Sequence, residues 1–150
     1  NDNILVCDMG NNRIQIFDLN GNFISKFGSK GNENGQFNHP VGIAMNLKGN
    51  IIVSDQNNHR IQIFDSKGNF ISTFGTKGKE NSQFSYPWGV CVDLNDNILV
   101  CDCSNNRIQI FNSEGEYIIQ FGVNKPTHAT INPKTQEIIV CERDNKISIF

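Results

Sequence analysis

The chain has 150 residues, 37% of them hydrophobic and 19% charged, a composition that fits a folded globular unit and excludes disordered and fibrous classes. A formal net charge of −2 excludes a protein that coats nucleic acid by bulk attraction, since that mode rests on a clear Lys and Arg excess, and leaves only local contacts of that kind. No apolar run approaches the roughly 18 residues needed to cross a bilayer and no basic-then-apolar leader precedes the first repeat, so a soluble unit is expected, with no membrane partner and no DNA partner.

Taken in order, the chain opens in an extended segment leading to NNRIQIFD at 11–18, which returns as NNHRIQIFD at 57–65 and NNRIQIFN at 105–112. Arg13, Arg60 and Arg107 therefore fall at intervals of 47 residues. The same register holds for Phe17, Phe64 and Phe111, for Asp8, Asp55 and Asp102, and for Gly28, Gly75 and Gly122. Phe37 with Phe84 and Pro40 with Pro87 recur inside the longer connections. A period of this length signals a repeat architecture.

Within the second copy the apolar residues form four strand-length clusters, GIAMN at 42–46, NIIVSD at 50–55, RIQIFD at 60–65 and FISTFG at 70–75. Ile, Val and Phe dominate them, and the separators LKGN, DQNNH and SKGN carry the Gly and Asn of tight turns. Each unit thus reads as a four-stranded antiparallel meander. Both faces of RIQIF carry apolar bulk, which predicts cover on both sides. In the fourth copy, Pro126 follows Gly122 after a connection eight residues shorter, IIVCERDNKISIF at 138–150 keeps the strands, and Lys146 replaces the arginine.

Identical sheets buried on both faces and joined in series predict an all-β fold, a β-propeller of four-stranded blades with units at about 1–28, 40–75, 87–122 and 126–150. With strands named a to d from the centre outward, the chain runs from strand b of one blade to strand c of the fourth. That is about 3.5 blades of a six-bladed ring, and the chain is expected to be a fragment shortened at both ends.

Five cysteines, Cys7, Cys91, Cys101, Cys103 and Cys141, read as small core residues, with Ser54 at the equivalent place in the second unit. Packed sheets lie about 10 Å apart, too far for a disulfide between equivalent positions. One Cys-x-Cys at 101–103 is a weak metal signal, so no metal and no cofactor are expected. Reduced thiols favour a cytoplasmic location.

Gly35, Gln36, Phe37, Pro40 and Gly42, then a strand ending in Asp55, then Asn58-His59-Arg60-Ile61-Gln62-Ile63-Phe64, resemble NHL repeats. NGQFNHPVG at 34–42 and QFSYPWGVCV at 83–92 look most like the NHL domains of animal tripartite-motif proteins, including the Lin-type and Brat-type regulators of messenger RNA. The resemblance implies a six-bladed propeller whose top holds RNA stem-loops, single strands or a protein. In ubiquitin-ligase members it follows RING, B-box and coiled-coil parts, whose zinc-binding pattern this sequence lacks, so ligase activity would belong to a longer parent chain.

Propeller geometry gathers the d-to-a connections and b-to-c turns on one face, the top. Its connections carry Lys30, Lys77, Lys79 and Lys125 against Glu33 and Glu80, a net +2, and the charges of the b-to-c turns cancel. The bottom carries Asp2, Asp18, Asp65, Asp93, Asp96, Glu114, Glu116 and Glu137 against Lys48, Lys67 and Lys134, a net −5. A polyanion therefore prefers the top. Tyr86, Trp88, His39, His59, Lys77, Lys79, Lys125 and His128 are the candidate contacts for RNA or a protein partner, since flat rings beside lysines suit base stacking and phosphate contact. The competing reading has Trp88 plug the inner channel and Tyr86 pack between blades. Asp8 with Arg13, Asp55 with Arg60 and Asp102 with Arg107 are expected to hold the b-to-c turns through charge-assisted hydrogen bonds. Catalysis is not expected, because the inner strands lack converging His, Asp and Glu and no nucleophile–base set stands out.

Overall fold

The computed structural model describes residues 3–150; Asp2, counted above among the bottom charges, lies outside them. The described residues contain no α-helix. Four antiparallel meanders follow one another. The first holds β1 (Ile4–Asp8), β2 (Arg13–Phe17) and β3 (Phe23–Phe27). The second holds β4 (Pro40–Met45), β5 (Ile51–Asp55), β6 (Arg60–Phe64) and β7 (Phe70–Phe74). After a short pair, β8 (Thr76–Lys77) and β9 (Gln83–Phe84), the third holds β10 (Pro87–Val92), β11 (Ile98–Asp102), β12 (Arg107–Phe111) and β13 (Tyr117–Gly122). The fourth holds β14 (Pro126–Ile131), β15 (Ile138–Glu142) and β16 (Lys146–Ile149).

Sheets meet in chain order, β4 against β10 and β10 against β14 along the inner strands, so the blades fan out as an incomplete propeller ring. Glycine permits this approach. A Cβ on Gly89 would lie 2.6 Å from the Thr127 carbonyl oxygen and 2.8 Å from the His128 Cα, and one on Gly42 would strike the Trp88 carbonyl.

Between blades the core is aromatic. Phe27, Phe37 and Phe64 form a triad with centroid separations of 4.8, 5.5 and 6.3 Å, and Phe74, Phe84 and Phe111 repeat it at 4.8, 5.6 and 6.2 Å. Phe37 and Phe84 come from the connections, so each connection plugs the seam between two blades. These connections are more ordered than a loop: Lys30 bridges Phe37, and β8 pairs with β9, both in parallel, which the sequence pattern did not suggest.

The bottom turns are closed by side chains that accept backbone N–H groups two and four residues on. Asp18, Asn46, Asp65, Asp93 and Asn112 each do so. This is the local hydrogen bonding that favours Asp and Asn at turn starts.

Candidate functional site

The top rim is assembled by a network that recurs, in whole or in part, in the first three units. In the second blade the Arg60 Nε donates to Asp55 Oδ2 at 2.8 Å, and its Nη2 donates to the Glu33 and Gln36 carbonyls of the preceding connection at 2.8 and 2.9 Å. Gln62 and Asn58 donate to the same carboxylate, whose Oδ1 accepts the Asn38 N–H. The third blade repeats this with Asp102, Arg107, Gln109, Asn105 and Ser85, the Arg107–Asp102 pair at 2.7 Å. Asp8 and Arg13 pair at 2.7 Å in the first. In the two central blades the ion pair therefore does more than close a turn: its arginine also fastens the connection that leads into that blade.

A second relay runs through residues with positive φ. Asn12, His59 and Asn106 end the single-turn 3-10 helices Met9–Asn11, Gln56–Asn58 and Cys103–Asn105 at φ of 55, 55 and 54°. Their side chains accept the N–H of His39, Tyr86 and Lys125 at 2.9, 3.1 and 3.0 Å. Those three residues precede the repeat prolines and also carry positive φ, 58, 53 and 42°. Non-glycine residues rarely adopt this conformation, and at these three positions a side-chain acceptor on the neighbouring blade secures it.

Just past Tyr86 the pairing of the inner strand shifts register between Pro87 and Val90, as it does after Pro40 and Pro126 in the neighbouring blades. The Trp88 carbonyl accepts from the Ser54 hydroxyl, and its ring lies 5.4 Å from the Arg143 guanidinium carbon. Trp88, Tyr86, Gln56, Asn57, Cys103, Ser104 and Arg143 line an open cavity of about 310 Å³. Tyr86 is 44% exposed.

The structure thus brings together Tyr86 and Trp88, with exposed Lys125 close by, its carbonyl accepting the N–H of the cavity residue Arg143 at 3.1 Å. His39 is exposed one blade away, its Nδ1 within 2.9 Å of Asn57 Nδ2. Lys77 and Lys79 are exposed on the connection above, and Lys77 acts on the His59 ring. His59 is only 8% exposed and reaches the site through Tyr86, against which its ring packs edge-on at 4.7 Å. His128 takes the inner-strand position of Gly42 and Gly89 and is exposed on β14, outside the cavity lining.

Arg143 is the residue that sequence reasoning missed. The position after the turn carboxylate reads Met9, Gln56, Cys103 and Arg143 in the four units, and such variation within near-identical repeats was the available signal. Among the described residues no cluster of three or more His, Cys, Asp and Glu side chains is placed to hold a metal ion. The five thiols are unpaired, and burial pushes those of Cys7 and Cys91 up to about 12, away from nucleophilic use at neutral pH. Cys141 differs from the core reading in being exposed, on the sheet that ends the chain. No helix among the described residues is long and apolar enough to cross a membrane.

The molecule is thus a β-propeller arc with an aromatic and basic top rim. The NHL repeat model matches residues 37–64 and 84–111, each span running from the seam phenylalanine to the end of a third strand, so the chain carries two NHL repeats, consistent with an NHL-repeat propeller. No curated protein matches the chain. Among solved structures it is similar to a virginiamycin B lyase from Staphylococcus aureus (TM-score 0.72, 17% identity, 99% of this chain and 51% of that one). A streptogramin B lyase is comparably similar (TM-score 0.69, 14% identity, 99% and 50%). So is the hydrazine synthase of Kuenenia stuttgartiensis (TM-score 0.73, 12% identity, 93% and 38%). At these identities the likeness is one of fold, and the chain spans about half the length of the lyases it matches.

Proposed function

We propose that this chain is a non-catalytic binding module that holds RNA, as a single strand or the loop of a stem-loop, on the top rim of its propeller. The observation carrying this reading is the cavity in which the Trp88 ring lies under the Arg143 guanidinium beside exposed Tyr86. An unstacked base finds a π-face and a planar cation there, while Lys77, Lys79 and Lys125 meet phosphates along the rim. The three turn carboxylates of Asp8, Asp55 and Asp102 are each consumed by an arginine, so they offer a phosphate little repulsion. The resemblance to tripartite-motif NHL domains agrees with a post-transcriptional regulator acting in the cytoplasm.

The alternative is a protein scaffold that recruits substrates to a tripartite-motif ubiquitin ligase, and the small charge surplus of the top favours it. Fluorescence anisotropy with a labelled, randomised single-stranded RNA pool separates the two. In the full-length protein, Trp88→Ala with Lys77→Ala and Lys79→Ala weakens binding at least tenfold, since base–aromatic stacking alone contributes about 1–3 kcal/mol. Unchanged affinity in a folded triple variant supports the scaffold.

A further inference from the structure

We infer that His59 is a positioning residue of this rim: its neutral ring holds the Tyr86 backbone in the conformation that presents the phenol, and protonation of the ring releases it, loosening the site in acid. The inference rests on the proposed site for its use in binding, but its geometry stands apart from any ligand.

Three equivalent places in the ring perform one task. Asn12, His59 and Asn106 each accept the N–H of the residue before the next repeat proline. An amide oxygen accepts at every pH, whereas an imidazole Nδ1 accepts only while it is unprotonated. Accepting from Tyr86 therefore puts the proton of the neutral ring on Nε2. A second proton, on Nδ1, would set donor against donor at the 3.1 Å contact. Tyr86 would then keep a φ of 53° before Pro87 without the bond that secures it.

The surroundings fix the sign. The charged groups acting on the ring are Lys77 on β8, which opposes protonation, and Asp102 at the end of β11, which favours it. Burial first and Lys77 second hold the ring below its ordinary value of 6.5. The folded rim thus prefers neutral His59, and the hold on Tyr86 is present at neutral pH and lost as pH falls through that lowered value. Only this blade has the switch, because the sister positions are asparagine.

Amide hydrogen exchange in the full-length protein without RNA, corrected for intrinsic rates between about pH 8 and 5, tests the inference. Protection of the Tyr86 amide is expected to fall about five- to tenfold in acid while that of His39 stays level. His59→Asn restores the sister residue and abolishes the pH dependence with protection retained. Asn106→His transfers it to the Lys125 amide. Protection at Tyr86 that does not vary with pH, or the same acid loss in His59→Asn, overturns the inference. RNA anisotropy on the same samples reports separately on the proposed ligand, so a protein that binds no RNA yet shows the Tyr86 transition keeps the positioning role and loses the RNA reading.

Discussion

At the scale of single residues, the repeated aspartates provide an internal comparison, because one chemistry is placed at graded depth. Asp55 and Asp102 have fully buried side chains, while that of Asp8 is 19% exposed. Removing one partner of a buried, hydrogen-bonded pair leaves the other uncompensated. Asp102→Ala strands the Arg107 guanidinium, Gln109, Asn105 and the Ser85 N–H, and urea denaturation should register a loss of about 3–5 kcal/mol. Asp8→Ala should cost much less. Equal losses would mean that the pairs act through turn closure alone, without the fastening of connections. The exposed turn carboxylates act differently. The side chain of Asn69, then its backbone N–H, holds the Asp65 carboxyl below its ordinary 3.8, so its contribution is present above that value and fades as pH falls through the lowered one. Asn69→Ala should move the Asp65 titration upward by NMR. The Asp–Arg pairing was legible in the sequence because it recurs at fixed spacing. The reach of Arg60 and Arg107 into the preceding connection was not, because it depends on how one blade seats against the next.

Among elements, the inner strands set the geometry of the rim. Gly42 and Gly89 let neighbouring inner strands approach so closely that a methyl group must displace backbone. Gly89→Ala is expected to destabilise by about 1–3 kcal/mol through overpacking. Gly10→Ala, where a Cβ meets nothing within 4 Å, should stay within about 0.5 kcal/mol in the same denaturant series. The strands themselves were readable from clusters of Ile, Val and Phe between Gly and Asn turns. The register shift between Pro87 and Val90 and the parallel pair of β8 with β9 were not, since an irregular pairing inside one blade and a two-residue pairing inside one connection leave no apolar alternation to read. In the fourth unit Arg143 stands where the others carry Met9, Gln56 and Cys103, but its contact with Trp88 could not be read from that position, because it depends on how the third and fourth blades seat together.

For the whole molecule, the 47-residue period sends equivalent turns to one rim, and this gives the chain a face. The central strand β6 is buried at Ile61–Phe64, whereas β16 in the last sheet is largely exposed, as expected where each blade is covered by its neighbours. Charge then separates top from bottom, and ionic strength should report it. Removing one lysine that neutralises a phosphate lowers the slope of log affinity against log salt by about 0.7 for a single strand, so Lys77→Ala with Lys79→Ala should reduce that slope by about 1.4. The same two changes on the bottom, Lys48→Ala with Lys67→Ala, should leave it unaltered.

The most direct measurement is ultraviolet crosslinking of the full-length protein to a randomised single-stranded RNA pool, with the crosslinked peptides mapped by mass spectrometry. The predicted adducts fall on Tyr86, Trp88 and the segment carrying Lys77 and Lys79. Adducts confined to the turns at 18–22, 65–69 or 112–116, or none on a folded protein, would contradict the assignment of the rim.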